Sequence, residues 1–325
     1  MEPKWAKQED FIVDTTRNLF YMDIINELKH GKRRAIARAI SIIENDEKAA
    51  RTLIKRIFKD SGKSITIGIT GPAGAGKSSL IDKISLELKK LGYRTAVLAI
   101  DPTSHITGGA ILGDRVRMTE STDSGTYIRS MASRGASGAI SWSLRNSVRV
   151  LEYAGFDPII IESVGAGQTD VEISKIADIT VVVFNPNTGD SIQTIKAGLT
   201  EIGDIYLINK SDLVGASQLF NTVRDYIGMA EKNPTIMMTS TKSNKGIVEL
   251  TKKIEDLMRS KKKTKKMQEQ SRLETELRDI ILNNVKARVG TMLDSSGIYG
   301  KYLKKVQSKT LDPFEAADKI TKLIK

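Results

Sequence analysis

The sequence predicts a doubly wound α/β fold with a mostly parallel sheet, extended by helices at its N-terminal and C-terminal ends. Three observations carry this prediction. A glycine-rich loop lies between a β-rich run, residues 64–70, and an apolar helical pattern, residues 79–88. Further short apolar runs alternate with helical patterns, as expected for parallel strands buried on both faces. Polar residues follow several of these runs directly, where such sheets bind ligands.

Composition limits the class of protein. The 325 residues are 40% hydrophobic and 28% charged, with a formal net charge of +12. No stretch approaches the ~20 apolar residues of a membrane span, and the first residues lack the apolar core of a signal peptide. We therefore predict a cytoplasmic protein without a membrane partner. The chain has no cysteine and only 2 histidines, which excludes disulfides and thiolate metal sites and makes a zinc site improbable.

Residues 1–60 are predicted to form an N-terminal helical region. Ile24, Ile25 and Leu28 share one helical face, and Gly31 is placed to end that helix. Two more amphipathic patterns follow, over residues 36–43 and 53–58. The break at residues 60–62 then marks the start of a nucleotide-binding domain, which we assign to residues 61–259.

The glycine-rich loop matches the phosphate-binding pattern G-x-x-x-x-G-K-[ST] at every fixed position. Glycines let backbone N–H groups turn toward phosphate oxygens, and the following helix adds its positive dipole end. Lys77 is predicted to reach the β- and γ-phosphates, and the Ser78 hydroxyl to bind Mg²⁺. The predicted phosphate contacts are Gly71, Pro72, Ala73, Gly74, Ala75, Gly76, Lys77, Ser78 and Ser79.

A second motif predicts which base is bound. Asn209, Lys210 and Asp212 form the pattern N-K-x-D directly after an apolar run. The Asp212 carboxylate can accept hydrogen bonds from N1–H and the 2-amino group of guanine, which adenine cannot supply, so we predict GTP rather than ATP. Lys210 would cover the base face. One unit later, a backbone N–H of the segment Ser240, Thr241 and Lys242 is placed to contact guanine O6.

Carboxylates in two intervening segments are candidates for Mg²⁺ binding and hydrolysis. Asp101 ends a predicted strand, and Asp114 lies in the segment that follows; both could organise Mg²⁺ directly or through water, or act as helix caps. Glu162 ends another strand, where it would lie near Mg²⁺ or the attacking water. We assign catalytic roles to Lys77, Glu162 and Asp114, and treat Gln168 as a weaker candidate for positioning water.

These segments resemble the MeaB/ArgK family of P-loop GTPases. The resemblance is carried by residues 101–118, 162–168, 209–212 and 312–318, and it covers nearly the whole chain, including the N-terminal helices and the C-terminal arm. It implies a GTPase that protects and loads adenosylcobalamin-dependent mutases, chiefly methylmalonyl-CoA mutase. It further implies Mg²⁺ contacts around Ser78, Asp101, Asp114 and Glu162, and a third switch loop at residues 185–196. Some members carry an older label as a kinase of the lysine/arginine/ornithine transport system.

Residues 260–325 are predicted to be a C-terminal helical arm. Residues 260–270 are basic and polar without interleaved aromatics, so we interpret them as a solvated linker or helix start and expect no nucleic-acid partner. A helix then carries an apolar stripe, and Gly290 is placed to end it. Asp312 should cap a last helix, with Pro313 at its first position.

The apolar stripe of the first of these helices predicts a homodimer, as the resemblance also implies, although the arm could instead fold back on its own domain. The stripe comprises Leu273, Leu277, Ile280, Ile281, Val285 and Val289.

The combined interpretation is a Mg²⁺-dependent GTPase, with GTP as substrate and GDP as product, that gates cofactor delivery to a mutase. Three alternatives come from other classes. A pure structural scaffold would not retain Lys77, Ser78 and Asp212 together. A metal-insertion GTPase would need His or Cys ligands, which the chain scarcely offers. A transport-associated ATPase or kinase would need a protein-substrate site, and the sequence shows no such site.

Overall fold

The computed structural model describes residues 21–101, 118–132, 137–163, 165, 168–186, 201–227, 234–295 and 297–323. It divides into two compact units, with the boundary between Lys265 and Lys266. Within the described ranges, no helix combines the length and the apolar character needed to cross a membrane. The predicted boundaries at residues 60 and 259 stay predictions. The helices before the sheet belong to the same compact unit as the sheet itself.

The first unit is built on a seven-stranded sheet whose paired strands are all parallel. The strand order is β3-β2-β4-β1-β5-β6-β7, so the chain starts near the centre and crosses to both edges. This confirms the predicted doubly wound fold. The strands are β1 Thr66–Thr70, β2 Ala96–Asp101, β3 Tyr127–Ala132, β4 Ile159–Glu162, β5 Ile179–Phe184, β6 Ile205–Ile208 and β7 Thr235–Met238.

Helices cover both faces of this sheet. Along β4, Ile159 and Ile161 belong to one apolar cluster and Ile160 to the other, because successive side chains of a strand point to opposite faces. The first cluster includes the N-terminal helices, and the second includes the helix that follows β1. The helices are α1 at 21–29, α2 Arg33–Asn45, α3 Glu47–Ile57, α4 Lys77–Lys90, α5 Thr119–Asp123, α6 Ser137–Tyr153, α7 Gln168–Ile176, α8 Ala216–Ile227, α9 Ile247–Ser295, α10 Ile298–Gln307 and α11 Pro313–Thr321.

The N-terminal helices form as the spacing predicts. Ile24, Leu28, Ile36, Ile40 and Leu53 are buried in the same cluster as residues of β2 and β4. Gly31 follows α1 with a left-handed φ of 64°, a conformation that glycine adopts without strain. Sequence periodicity therefore located these helices and the faces that they bury.

Two predictions about the C-terminal arm are wrong. Residues 260–270 are neither a linker nor a helix start, because α9 runs through them without interruption. Their lysines, glutamines and glutamate are strong helix formers, and no glycine or proline interrupts them. Gly290 does not end the helix, since α9 continues to Ser295. An interior glycine costs only about 1 kcal/mol relative to alanine, which the flanking turns can absorb.

Three lysines of this basic segment, here called the lysine clamp, bind aspartates that precede strands. Lys261 pairs with Asp204 before β6, Lys262 with Asp157 before β4, and Lys265 with Asp178 before β5. Each aspartate also accepts a backbone N–H at the start of the neighbouring strand, from Thr180, Ile65 and Thr66 respectively. The clamp therefore fastens the first part of α9 along the amino edge of the sheet.

In the second unit, α11 begins as predicted. The Asp312 side chain accepts hydrogen bonds from the N–H groups of Phe314 and Glu315, and Pro313 stands in the first turn. Glu315, in the first turn of this helix, receives a hydrogen bond from Lys319 at 2.7 Å. Asp312 is therefore the N-cap of this helix, as its sequence context predicts.

Candidate nucleotide-binding site

The site lies at the carboxyl edge of the sheet, where β1, β4, β5 and β6 end side by side. Residues 71–78, here called the phosphate loop, connect β1 to α4. Glu162 is the last residue of β4, paired in register with Ile69 of β1. Residues 209–212, here called the base motif, follow β6 directly. Parallel pairing thus brings the phosphate loop together with segments that follow it by more than eighty residues in the chain.

Two glycines allow close approach at this edge. Gly76, with φ of 87°, precedes α4, and a Cβ there would come within 2.5 Å of Asn209 Nδ2. Gly165, with φ of 83°, lies against the phosphate loop so closely that a Cβ would overlap the carbonyl oxygen of Gly71. Both positions require glycine for space and for backbone conformation. Gly165, three residues after Glu162, is therefore in contact with the phosphate loop.

The Lys77 side chain contacts the phosphate loop. Its ammonium group donates to the carbonyl oxygens of Gly71 at 2.8 Å and of Pro72 at 3.1 Å. The side chain is buried, so its charge is held by these carbonyl groups in a protected position. Phosphate oxygens offer a stronger, charge-assisted partner at the same location.

Ser78 and Glu162 bring two oxygen donors together, as the sequence predicts for a Mg²⁺ site. The Ser78 hydroxyl donates to Glu162 Oε1 at 2.6 Å, and both residues are buried. Mg²⁺ prefers hard oxygen ligands and is commonly held by one or two protein groups together with substrate phosphates and water. The donor set of this pair therefore fits that ion.

The base motif contacts the phosphate loop through two side chains. Asn209 is fully buried, and its Nδ2 donates to the carbonyl oxygen of Ala75 at 2.9 Å. Lys210 Nζ donates to the carbonyl oxygen of Gly74 at 2.8 Å. The Thr239 hydroxyl holds the other end of the Asn209 amide through Oδ1, at 3.2 Å. The base motif and the phosphate loop therefore form one site.

Asp212 is exposed, and its carboxylate is held by the segment that follows β7. The Ser240 hydroxyl donates to Asp212 Oδ1 at 2.5 Å. This hydrogen bond is the main cause that lowers the pKa of Asp212, and the charges of Lys242 and Lys210 lower it further. The carboxylate is therefore kept ionised, ready to accept hydrogen bonds. Thr241 and Lys242 lie in the turn after Ser240, with Lys242 exposed to solvent.

Several predicted residues are not placed together by the described structure. Asp101 ends β2, two strands from β1, but its side chain is outside the described part. Asp114 lies outside the described residues, as do 187–196 of the predicted third switch loop. Gln168 is the first residue of α7, and its side chain is likewise not described. Their roles remain predictions.

The sequence interpretation missed one buried side chain of the site. Asn185 follows β5 directly and donates through Nδ2 to the carbonyl oxygen of Gly74 at 3.2 Å. The signal that identified Asn209, a polar residue immediately after an apolar strand, also applies to Asn185. The family resemblance assigned Asn185 only to the implied third switch loop, residues 185–196.

The sequence profile of the family described as "Methylmalonyl Co-A mutase-associated GTPase MeaB" matches residues 36–294 of this chain. A Pyrococcus abyssi protein named "Putative GTPase" is 41% identical over 312 residues, covering 93% of this chain and 96% of that protein. The "GTPase ArgK" of Escherichia coli is 35% identical over 193 residues, 58% of each protein. The Mus musculus protein "Methylmalonic aciduria type A homolog, mitochondrial" is 32% identical over 246 residues, covering 69% of this chain and 59% of that protein.

A solved structure also matches nearly the whole chain. The crystal structure of "LAO/AO transport system kinase" superposes with a TM-score of 0.72 at 24% sequence identity. The match covers 94% of this chain and 97% of that one. At this identity the likeness shows a shared fold, in agreement with the sheet order described above.

Proposed function

The chain belongs to the MeaB family of P-loop GTPases, and we propose that it acts as a GTP-gated chaperone for an adenosylcobalamin-dependent mutase. Methylmalonyl-CoA mutase is the first client to test, because the family description names it. In this proposal the protein uses Mg²⁺, and GTP hydrolysis gates the loading and protection of the mutase cofactor.

One observation carries the nucleotide part of this proposal. Asn209 and Lys210 of the base motif donate to consecutive carbonyl groups of the phosphate loop, those of Ala75 and Gly74. A guanine held by Asp212 and phosphates held by the loop would therefore belong to one ligand. The lowered pKa of Asp212 supports the same assignment, because only an ionised carboxylate accepts from both guanine donors.

The residues of the site have separate roles in hydrolysis. Lys77 exchanges its bonds to Gly71 and Pro72 for oxygens of the β- and γ-phosphates, so little reorganisation precedes binding. Ser78 and Glu162 would hold Mg²⁺, which would supply charge neutralisation at the phosphates. Glu162 also orients the Ser78 hydroxyl through their 2.6 Å hydrogen bond. Asp101 and Asp114 are proposed to complete the Mg²⁺ surroundings.

We propose that the segment after Glu162 transmits the nucleotide state of the site to the client mutase. Gly165 lies against the phosphate loop, so a γ-phosphate bound there would contact or displace this segment. Release of that contact on hydrolysis would change the surface offered to a partner. Switch GTPases of this kind turn over slowly until the partner completes or orders the site.

The arm is proposed to form a homodimer through its apolar stripe. Leu273, Leu277, Ile281 and Val285 of α9 are all more than a third exposed, although they are large and apolar. A two-fold contact would bury the same stripe on both chains. Burial of this apolar area would offset the cost of ordering two arms.

The proposal is tested by mixing the full-length chain with the host's own adenosylcobalamin-dependent mutases. GTP hydrolysis should accelerate with the client, and mutase binding should differ between GDP and a non-hydrolysable GTP analogue. No acceleration and no nucleotide-dependent affinity would refute the client assignment. The same reactions test the transport-kinase alternative, because a kinase would transfer the γ-phosphate to a protein rather than to water.

A further inference from the structure

Asn185 contacts the phosphate loop from a strand that carries neither nucleotide motif. It follows β5, its side chain is only 1% exposed, and its Nδ2 donates to the carbonyl oxygen of Gly74 at 3.2 Å. The same oxygen accepts from Lys210 Nζ at 2.8 Å. One carbonyl group of the phosphate loop is therefore held from two neighbouring strands, β5 and β6.

The Gly74 carbonyl group is held in place by hydrogen bonds from outside the phosphate loop. Gly74 has a left-handed φ of 75°. Apart from its chain neighbours, no described residue places a heavy atom within 4 Å of the point where its Cβ would stand. Packing therefore does not restrain this residue, and glycine has more backbone freedom than any other residue type. The hydrogen bonds to its carbonyl oxygen, together with the bond from the Ala75 N–H of the same peptide to the Pro72 carbonyl at 3.2 Å, set the orientation of the peptide.

Asn185 is the better restrained of the two donors. It is buried and short, whereas Lys210 reaches the oxygen through four methylene groups and loses more rotamer freedom when it is fixed. The residue after Asn185 lies near the turn that follows the base motif, because a Cβ on Gly215 would meet Pro186 Cβ at 3.7 Å. The end of β5 thus lies between the phosphate loop and the turn that follows the base motif.

We propose that Asn185 is a positioning residue that fixes the Gly74 peptide and so sets the affinity of the phosphate loop for the β- and γ-phosphates. The inference rests on the proposed GTP site and adds a residue outside both sequence motifs. It does not act on the base, because its hydrogen bond goes to the loop. Its removal should therefore weaken nucleotides that carry a β-phosphate and spare those that lack one.

The test compares Asn185→Leu and Asn185→Asp in the full-length chain by titration with GDP and by competition with GMP, which has no β-phosphate. The Leu variant removes the donor at similar volume and should weaken GDP about 2- to 10-fold, the range of one net hydrogen bond. The Asp variant faces the carbonyl oxygen with acceptor atoms and should weaken GDP further. GMP affinity should stay at the wild-type value in both variants.

Asn146→Leu is the matched control, because Asn146 is a buried asparagine on α6 that accepts a hydrogen bond from Arg149. It should leave the ratio of GDP to GMP affinity unchanged. Wild-type GDP affinity in both Asn185 variants would overturn the inference. An equal loss of GDP and GMP affinity, with a lower unfolding temperature, would assign Asn185 a merely structural role and also overturn it. A wild type that binds no GDP would instead refute the proposed function itself.

Discussion

Replacement of each clamp lysine by methionine should destabilise the protein in proportion to the burial of its ion pair. Methionine is unbranched, like lysine, and its helix propensity is similar. Loss of the positive charge is therefore the main change. The Lys265–Asp178 pair has side chains that are 12% and 1% exposed. The corresponding values are 26% and 27% for Lys261–Asp204, and 44% and 30% for Lys262–Asp157.

The expected loss in the free energy of unfolding depends on the hydrogen bonds that each aspartate keeps after its lysine is replaced. Without Lys265, the Asp178 carboxylate remains buried but still accepts from the N–H and hydroxyl of Thr66, each at 2.8 Å. We therefore expect a loss of about 2–3 kcal/mol, below the 3–5 kcal/mol typical of a buried pair that loses one partner. Lys262→Met should cost no more than about 1 kcal/mol, as for exposed pairs, and Lys261→Met should lie between the two.

Urea unfolding of the full-length variants, followed by circular dichroism, measures the three free energies. On thermal unfolding, Lys265→Met should lower the midpoint by about 3–5 °C. A double-mutant cycle with Asp178→Asn isolates the pairwise coupling from other effects of each substitution. Equal losses for the three variants, or the largest loss for Lys262→Met, would refute the reasoning from burial.

The remaining predictions concern the nucleotide site and the arm. Lys77→Ala should abolish hydrolysis, and Glu162→Ala should lower the hydrolysis rate more than GTP affinity; an unchanged rate would remove Glu162 from the mechanism. Asp212→Asn should weaken GTP and favour xanthosine triphosphate, whose 2-oxo group suits an amide donor, as competition titrations would show. Ser240→Ala should raise the pKa of Asp212 toward its ordinary value. Because GTP binding is lost as pH falls through that pKa, its acid limit should move to higher pH; an unmoved limit would contradict the assignment. Ile281→Glu should convert a dimer to a monomer in sedimentation, and a wild type that is already monomeric would refute the dimer.

Periodicity and local motifs predicted the sheet and the N-terminal helices, and they placed Ser78 and Glu162 at one edge of that sheet. These depend on short-range patterns: buried strands read as continuous apolar runs, and the phosphate loop needs glycine at fixed positions. The approach of the base motif to the phosphate loop was also foreseeable. Parallel strands bring their carboxyl ends to one edge, so polar residues after neighbouring strands must meet.

A local pattern does not show tertiary partners, and it gives only a weak indication of where a helix ends. The segment with Lys261, Lys262 and Lys265 resembles a solvated linker by composition, yet its charges meet aspartates from three distant turns. Gly290 carries the usual signal of a helix end, but the following residues continue the helix to Ser295. The contact of Asn185 with the phosphate loop was not predicted, because its partner, the Gly74 carbonyl, lies more than a hundred residues earlier in the chain.

The central claim is that one site at the carboxyl edge of the sheet binds guanine nucleotides and hydrolyses GTP. The most direct measurement is a titration of the full-length wild type with GTP and with ATP in the presence of Mg²⁺, followed by phosphate release from each. Asp212 and the phosphate loop predict tight binding and hydrolysis of GTP, with ATP bound far more weakly. Equal affinity for the two nucleotides, or phosphate release from ATP alone, would contradict the account.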